Sequence, residues 1–245
     1  AVLGASGYTG QECARLAAAH DGLEIVALCS REHAGRPASE LLPGLDPRAN
    51  TLPTVVNPAE VGSLLDSGAC DTLAVCLPHG AWKAMTAEQP GLESKAALIV
   101  DLSSDHRDGA AGYAYGLPEA FRTTLAGATR IANPGCYPTA ATLALMPALA
   151  SGWAGGPVMV SALSGVSGAG RAPSLKTSFV ELEGGATIYK AGTVHQHVPE
   201  MERTLAALTA PAPVGGTGEP TPQVAFAPQL VPMARGILLT AQVAL

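Results

Sequence analysis

The first twenty residues, AVLGASGYTGQECARLAAAH (1–20), decide the fold class. The apolar run AVLGA (1–5) predicts a strand and GQECARLAAAH (10–20) predicts a helix, with glycines at 4, 7 and 10 between them. A strand, a glycine-rich turn and a helix in this order present free backbone N–H groups and a positive helix end to a pyrophosphate. The spacing is G-x-x-G-x-x-G rather than G-x-G-x-x-G, so a tight packing turn is the alternative interpretation.

The rest of the first half repeats this alternation of strand and helix patterns. We expect strands at 23–30, 71–78, 95–104 and 129–135, and helices at 61–68 and 80–89. Strands that are apolar throughout and separated by helix-sized segments are typical of a parallel sheet covered on both faces. The sequence therefore predicts an α/β fold with a Rossmann-type parallel-sheet domain over residues 1–133.

The pattern changes after Cys136. Long strand-like stretches occupy 157–170, 223–233 and 236–245, and the composition of 209–222 is that of a loop. We expect a second domain over 134–245, with a mixed or antiparallel α+β fold that serves catalysis and oligomerisation. The chain opens without a methionine and closes inside an apolar run, so we expect it to be truncated at both ends and incomplete at the C-terminus.

Composition restricts the partners. The 245 residues are 47% hydrophobic and 14% charged with a formal charge of −6, which argues against a nucleic-acid or anionic-membrane surface. We see no apolar run of about 18 residues and no signal peptide. The five cysteines have no C-x-x-C spacing, which is typical of a reducing compartment without a disulfide framework or a zinc site. We expect a cytoplasmic protein.

The second predicted strand ends on residues suited to one nicotinamide cofactor. Ser30 and Arg31 follow the last glycine by about 20 residues, where a carboxylate would select the ribose hydroxyl of NAD. A hydroxyl and a guanidinium favour a 2′-phosphate instead, although Glu32 is adjacent. We predict NADP(H) as the cofactor. The LPHG segment, with Pro78 and His79 at the tip of another parallel strand, is expected to contact it.

Cys136 is the candidate nucleophile. It stands in NPGCYPT between a Pro-Gly turn and a predicted helix, with Pro138 suited to the first helical position. A helix N-terminus lowers the pKa of a thiol and offers N–H groups to an oxyanion. A small core hydrophobe is the alternative, and we accept that interpretation for Cys13, Cys29, Cys70 and Cys76.

A base for this thiol is offered by VHQHVPE. His195 and His197 would point to one face of an extended segment, and Glu200 falls in the first turn of a helix starting at Pro199. A histidine held by a carboxylate is suited to general acid–base catalysis. The H-x-H spacing also permits a metal, but no third ligand cluster is near, and we predict no metal. The other four histidines look less suited to catalysis.

A second Gly/Ser-rich turn, SGVSGAGRAP (164–173), carries Arg171. It is either another phosphate or nicotinamide cradle or only a tight loop. Two phosphate cradles and a thiol would suit an acyl-phosphate substrate.

These motifs together resemble a known family over essentially the whole chain. GASGYTG, SREHAGRP, LPHG, DLSSDHR, YGLPE, NPGCYPT, SGVSGAGR, VHQHVPE and LVPMARGIL occur in the order found in N-acetyl-γ-glutamyl-phosphate reductases, which are related to aspartate-semialdehyde dehydrogenase. The resemblance implies an arginine-biosynthesis oxidoreductase that uses NADPH to convert N-acetyl-γ-glutamyl phosphate into N-acetylglutamate 5-semialdehyde and phosphate. It also implies a homo-oligomer, either a dimer or a tetramer.

The resemblance assigns roles to individual residues. Cys136 would form a thioester, one or both of His195 and His197 would be the acid–base, and Glu200 would support them. Tyr189 and Arg171 would serve the substrate. The expected cofactor contacts are Gly4, Ser6, Gly7, Tyr8, Thr9, Gly10, Ser30, Arg31, Pro78, Ser167 and Gly168.

Three departures from the family pattern leave alternatives open. The segment between DHR and YGLPE is short, Gln229 stands where a histidine is common, and the chain stops after RGILLTAQVAL. A related reductase of a carrier-linked aminoadipyl phosphate is one alternative. A fragment that binds NADP without turnover is another.

Overall fold

The computed structural model describes residues 1–42, 52–152, 155–209 and 222–244. The chain divides into two compact units. The first comprises Ala1–Gly116 and Thr123–Asn133, and the second comprises Leu117–Arg122 and Pro134–Leu245.

The first unit is built on a seven-stranded sheet in which every paired neighbour is parallel. Its strands are β1 (Val2–Leu3), β2 (Leu28–Cys29), β3 (Val55–Val56), β4 (Thr72–Val75), β5 (Leu98–Asp101), β6 (Ala114–Tyr115) and β7 (Arg130–Ala132). The helices between them are α1 (Tyr8–Ala18), α2 (Ala38–Leu41), α3 (Val61–Asp66), α4 (Ala81–Glu88) and α5 (Leu92–Lys95). A sixth helix, α6 (Pro118–Leu125), follows β6 in the chain, and most of it belongs to the second unit. The strand order is β3-β2-β1-β4-β5-β7-β6.

Both faces of this sheet are buried, as its continuous apolar strands predict. Leu3, Leu73 and Ile99 pack into one apolar cluster with Trp82 of α4. Val2 and Leu28 contribute to a second cluster. The predicted α/β fold with a Rossmann-type sheet is therefore confirmed.

The strand expected at 23–30 is much shorter than predicted. Only Leu28 and Cys29 pair, because the neighbouring strand β1 offers just Val2 and Leu3 and β3 offers just Val55 and Val56. Leu23 is 53% exposed, so the apolar residues before the strand extend beyond the sheet.

The strand order creates one point where the chain changes direction across the sheet. From β1 the chain proceeds to β2 and β3 on one side, and β4 returns to the other side of β1. Ligands of open parallel sheets bind at the carboxyl ends of the strands at such a switch point. A cofactor is therefore expected to lie beside the residues that follow β1 and β4.

The second unit is a four-stranded mixed sheet covered on one face by two long helices. Its strands are β8 (Gly155–Ser164), β9 (Thr187–Ile188), β10 (Val224–Leu230) and β11 (Ile237–Ala244), in the order β11-β8-β10-β9. The helices are α7 (Cys136–Ala150), α8 (Phe179–Leu182) and α9 (Val198–Leu208). β8 and β10 are parallel and the other pairs are antiparallel, which confirms the predicted mixed fold.

The core of this unit lies between α7, α9 and one face of the sheet. Leu149 of α7, Met201 of α9 and Phe226 of β10 are almost completely buried in it. The stretch 157–170 is not strand throughout, since β8 ends at Ser164 and Val166–Ala169 form a 3-10 turn. The loop expected at 209–222 falls almost entirely outside the described residues.

Among the described residues, no helix has the length and apolar character needed to cross a membrane.

Candidate active site

The glycine-rich loop joins β1 to α1 in very tight surroundings. Gly4 has a φ of +77°, and a Cβ there would lie 2.4 Å from the carbonyl oxygen of Cys76. A Cβ on Gly10 would lie 2.2 Å from the carbonyl oxygen of Gly4. Two of the three glycines are therefore required by close backbone packing, whatever else the loop binds. A Cβ on Gly7 would make only an ordinary 3.5 Å contact.

The start of α1 has the properties of an anion site. Gly7 is its N-cap and provides no side-chain cap, and the first turn, which holds Tyr8 and Thr9, contains no acidic residue. The first N–H groups of a helix have no intrahelical partner, and the helix dipole favours negative charge there. The residues present thus fit the pyrophosphate of a dinucleotide.

The end of β2 lies beside this loop. The hydroxyl of buried Ser30 donates to Oγ of Ser6 at 3.2 Å and lies 3.2 Å from Nδ1 of His33. The side chain of Arg31 is exposed. Ser6, Ser30 and Arg31 therefore form a polar group at the tip of β2, with the exposed Glu32 next to Arg31. The sequence predicts no catalytic role for His33, although its spacing of three residues from Ser30 permits this contact.

The segment after β4 is held in place by the DLSSDHR motif, for which the sequence alone predicts no role. Pro78 and His79 are exposed, and Nδ1 of His79 accepts a hydrogen bond from the amide of Ser104. The buried carboxylate of Asp105 accepts bonds from the amides of Gly80 (2.6 Å) and Lys83 (3.2 Å). Asp105 thus caps α4 and sets the position of the LPHG turn.

The same DLSSDHR motif closes a buried polar network inside the first unit. Nδ1 of His106 lies 2.8 Å from Oδ2 of Asp101, and its ring stacks on Tyr113 with centroids 4.1 Å apart. The Tyr113 hydroxyl accepts from Nε1 of Trp82 and donates to Glu93. Burial raises the pKa of Tyr113. His106 is therefore a structural residue.

Cys136 is the first residue of α7 and is exposed. Its N-cap, Gly135, offers no side-chain cap, and the first turn contains no acidic residue. Pro138 is the third helical residue rather than the first, which is tolerated because the first N–H groups of a helix need no partner. The thiol therefore stands at a positive helix end, where an anion is stabilised.

Glu200 fixes the turn before this thiol. Its carboxylate is 6% exposed and accepts a hydrogen bond of 2.8 Å from the amide of Gly135. Glu200 lies in the first turn of α9, so this bond joins the starts of two helices. The expected support of the histidines by Glu200 stays a prediction, and the structure adds this contact with the backbone next to Cys136.

Tyr137, the residue after Cys136, and Tyr189 both contact the histidines. The hydroxyls of Tyr137 and Tyr189 are 2.6 Å apart. The pKa of Tyr189 is raised mainly by burial. This hydrogen bond and the nearby charges of Tyr137 and Cys136 raise it further. The Tyr137 ring makes edge contacts with His195 (5.6 Å), His197 (5.8 Å) and Phe226 (4.8 Å). We call Tyr137, Tyr189, His195, His197 and Phe226 the aromatic cluster.

His195 and His197 are brought together by a turn, which corrects the extended segment expected here. The backbone N–H of His197 donates to Nδ1 of His195 at 3.1 Å, and the two rings are 4.9 Å apart. His197 is the N-cap of α9, and the helix begins at Val198, one residue before Pro199. Burial and, to a lesser extent, the Lys190 cation lower the pKa of His195. Since Nδ1 is an acceptor, neutral His195 carries its proton on Nε2.

The SGVSGAGR turn contacts the loop before β11. The amides of Gly165, Val166 and Ser167 donate to the carbonyls of Gly236, Met233 and Ala234, and that of Gly170 donates to Ser167. A Cβ on Gly165 would lie 2.8 Å from Arg235 backbone nitrogen. These four amides are thus occupied by protein carbonyls, which favours the tight-loop interpretation for them. Gly168 and Arg171 are exposed beside them.

All five cysteines are described and none forms a disulfide. Burial raises the pKa of Cys29 to about 12, as suits a core residue. Among the described residues, no group of three or more His, Cys, Asp or Glu side chains is arranged to hold a metal ion.

Comparison with known families defines the class of protein. Residues 1–128 match the semialdehyde dehydrogenase NAD-binding domain, and residues 136–245 match the semialdehyde dehydrogenase dimerisation domain. Solved structures agree in fold. Aspartate semialdehyde dehydrogenase with NADP from Candida albicans has a TM-score of 0.71 at 18% identity, with 99% of this chain and 70% of that chain covered. Aspartate semialdehyde dehydrogenase II from Vibrio cholerae complexed with ASA has a TM-score of 0.71 at 16% identity, with 99% of this chain and 72% of that chain covered.

Closer relatives specify the branch. N-acetyl-gamma-glutamyl-phosphate reductase from Acidothermus cellulolyticus is 41% identical over an alignment of 258 residues, gaps included, that covers 98% of this chain and 69% of the relative. The protein of the same name from Thermus thermophilus is 40% identical over an alignment of 262 residues, gaps included, that covers 98% of this chain and 71% of that relative. Within the semialdehyde dehydrogenases, this chain belongs to the N-acetyl-γ-glutamyl-phosphate reductase family.

Proposed function

We propose that the protein is an oxidoreductase that reduces N-acetyl-γ-glutamyl phosphate to N-acetylglutamate 5-semialdehyde and phosphate, as a step of arginine biosynthesis. The relatives at 38–41% identity carry the name of this reductase. The single observation that carries the mechanism is the exposed thiol of Cys136 at the start of α7, next to Tyr137, whose ring contacts two buried histidines.

The thiolate of Cys136 attacks the acyl carbon, the carbon–oxygen bond to phosphate breaks, and phosphate leaves with its electron pair. The result is a thioester on Cys136. When bound, NADPH supplies a hydride to that acyl carbon. The resulting oxyanion is protonated to a thiohemiacetal. Its hydroxyl proton then returns to the base as the carbon–sulfur bond breaks, which releases the aldehyde and regenerates the thiolate. The amides at the start of α7 stabilise the oxyanion in both steps.

The hydrogen bond between the histidines separates their roles. Neutral His195 holds its proton on Nε2 and accepts the His197 amide at Nδ1, so it can donate a hydrogen bond but cannot gain a proton without losing that contact. Its lowered pKa keeps it neutral near pH 7. His195 therefore acts as a neutral electrophile toward an oxyanion, and His197 takes the proton-transfer role. Tyr189 orients the substrate beside them.

NADPH binds to the first unit through groups that fit it. Gly4, Ser6, Gly7 and the start of α1 hold the pyrophosphate, with Tyr8, Thr9 and Gly10 in the first turn. Ser30 and Arg31 recognise the 2′-phosphate. Pro78 is a further proposed contact on the first unit. On the second unit, the family resemblance alone supports Ser167 and Gly168 as cofactor contacts and Arg171 as a substrate contact.

Steady-state kinetics on the reductase test this assignment. Cys136→Ser should lower kcat by at least about a thousandfold, because a serine hydroxyl is a far weaker nucleophile at neutral pH. Cys29→Ser serves as a control for the loss of a cysteine, since Cys29 is buried in the first unit. An ordinary rate in Cys136→Ser would overturn the thioester mechanism.

We also propose that a second copy of this chain covers the outer face of the β8–β11 sheet. This face carries Met159 and Leu238, which are 61% and 65% exposed, with Ile188, also 61% exposed, on β9. Its other outward residues, including Ser161 and Gln229, are uncharged. An exposed apolar sheet face without charge is typical of a subunit interface, and the region matches a dimerisation domain.

The reductase is proposed to act in the cytoplasm, since its five cysteines form no disulfide, which is consistent with a reducing environment. A carrier-linked aminoadipyl phosphate is the second candidate substrate from the sequence. Comparing turnover of the two acyl phosphates decides between them, and cofactor binding without any turnover would identify a non-catalytic NADP-binding fragment.

A further inference from the structure

The loop after β2, which contains His33, is fixed to the neighbouring strand β3 by backbone hydrogen bonds. The amide of Ser30 donates to the carbonyl of Val56 at 3.0 Å. Further along the loop, the amide of Gly35 donates to the carbonyl of Val55 at 2.7 Å. His33 lies between these two bonds and is half-buried. Its imidazole is therefore presented from a backbone that is held at both ends.

The buried hydroxyl of Ser30 contacts two side chains. Its Oγ donates to Oγ of Ser6 at 3.2 Å, and Nδ1 of His33 lies 3.2 Å from the same Ser30 oxygen. A serine hydroxyl has one proton and two acceptor lone pairs. Because the proton is used in the bond to Ser6, the imidazole must be the donor in the contact with His33. Neutral His33 therefore carries its proton on Nδ1.

The opposite arrangement is present at three other histidines. Nδ1 of His20, His79 and His195 accepts a hydrogen bond of 3.0–3.1 Å from a backbone amide. A neutral imidazole that accepts at Nδ1 carries its proton on Nε2. His33 is therefore expected to differ from these three in the position of its proton, and they serve as internal references for it.

The direction of these bonds keeps the Ser30 proton on the side of the glycine-rich loop. His33 occupies a lone pair of the Ser30 oxygen and does not take its proton, which points to Ser6. Ser6 directly precedes Gly7, the N-cap of α1, where the helix dipole favours an anion. A hydroxyl that itself accepts a hydrogen bond is a stronger donor. Ser30 is thus prepared to donate to an anion beside this loop.

We propose that His33 is a positioning residue that sets the cofactor specificity, by directing and strengthening the Ser30 donor toward the 2′-phosphate of NADPH. The 2′-phosphate accepts the Ser30 proton in place of the Ser6 oxygen and pairs with Arg31. The neutral 2′-hydroxyl of NADH gains much less from a strengthened donor. The proton position on His33 is a property of the protein alone, whereas its effect on NADPH rests on the proposed function.

Nitrogen-15 NMR of the histidine side chains tests the proton position in the cofactor-free protein. The spectra are recorded at about pH 8.5, where histidine side chains are ordinarily neutral. We expect the proton of His33 on Nδ1 and the protons of His20 and His79 on Nε2. The signals that disappear in His33→Ala identify this residue. A proton on Nε2 of His33 would overturn the inferred hydrogen bond and the role built on it.

Fluorescence titration with NADPH and NADH tests the effect on the cofactor. His33→Ala should weaken NADPH binding roughly tenfold, as expected for one weakened hydrogen bond to a charged group, and NADH binding less than about twofold. His33→Asn should recover most of the affinity, because its amide donates from the position of Nδ1. His33→Gln, which places its amide at the position of Nε2, should not. His20→Ala removes an exposed histidine of the same unit and is the control.

A double-mutant cycle shows whether His33 acts through Ser30. Once Ser30→Ala has removed the hydroxyl, adding His33→Ala should cause no further loss of NADPH affinity. Additive losses, or equal losses for NADPH and NADH in His33→Ala, would overturn the proposal. If the unaltered protein binds neither cofactor, the proposed function fails, while the NMR spectra still decide the position of the proton.

Discussion

The carboxylate of Glu200 accepts a hydrogen bond of 2.8 Å from the amide of Gly135, the residue immediately before Cys136. Both groups are buried, so this bond satisfies a backbone donor that water does not reach. It joins the start of α9 to the turn that presents the thiol. Glu200 is therefore a positioning residue that acts through the backbone of the nucleophile's turn.

Removing the acceptor should destabilise the second unit. Glu200→Ala leaves the buried Gly135 amide without a partner, which costs about 1–3 kcal/mol in the free energy of unfolding. Glu200→Gln retains an acceptor oxygen and should recover part of both stability and kcat. Urea denaturation monitors stability, and Glu183→Ala, at an exposed position, is the control. Equal losses for Ala and Gln would show that the negative charge matters more than the hydrogen bond.

The lowered pKa of His195 predicts a pH dependence of stability. The unfolded chain protonates this histidine near pH 6.5, whereas the folded protein does so only at lower pH. Below pH 6.5 the unfolded state therefore binds more protons, and stability falls as the pH falls toward the folded pKa. In His195→Gln the loss of stability between about pH 7.5 and about pH 5.5 should be smaller. The exposed His20→Gln variant should retain the dependence of the unaltered protein, and an unchanged slope in His195→Gln would contradict the assignment.

The tip of β2 predicts the cofactor preference. Arg31→Ala removes the exposed guanidinium proposed to bind the 2′-phosphate, and KM for NADPH should rise about tenfold with little change for NADH. Arg36→Ala provides the control, since Arg36 is paired with Glu40. Equal effects on the two cofactors would remove Arg31 from 2′-phosphate recognition.

The outer sheet face predicts an oligomer. Leu238→Glu places a charge on a side chain that is 65% exposed, so the protomer should fold while its association fails. Sedimentation or light scattering should show a drop to the protomer mass. Leu16→Glu, at a similarly exposed position on α1, should leave the mass unchanged. A protomer mass for the unaltered protein would mean that this face has another occupant.

Much of the fold follows from local sequence patterns, because the elements depend on neighbouring residues. The positions of β1 and α1 are predicted by Gly4, Gly10 and the helical pattern after them. The start of a helix at Cys136 is predicted by the Pro-Gly turn. The site depends on distant residues. Phe226 of β10 meets Tyr137 of α7, and Glu200 meets Gly135, 65 positions away. Such contacts between distant residues come from tertiary packing, and the spacing of apolar residues along the sequence does not predict them.

The reaction before hydride transfer tests the central claim most directly. The reductase is mixed with N-acetyl-γ-glutamyl phosphate in the absence of NADPH, and released phosphate and protein mass are followed over the first turnover. Attack by Cys136 predicts a burst of one phosphate per active site and an acyl adduct on the peptide that contains Cys136, both absent in Cys136→Ser. Phosphate release without an adduct on that peptide, or an equal burst from the serine variant, would contradict the thioester.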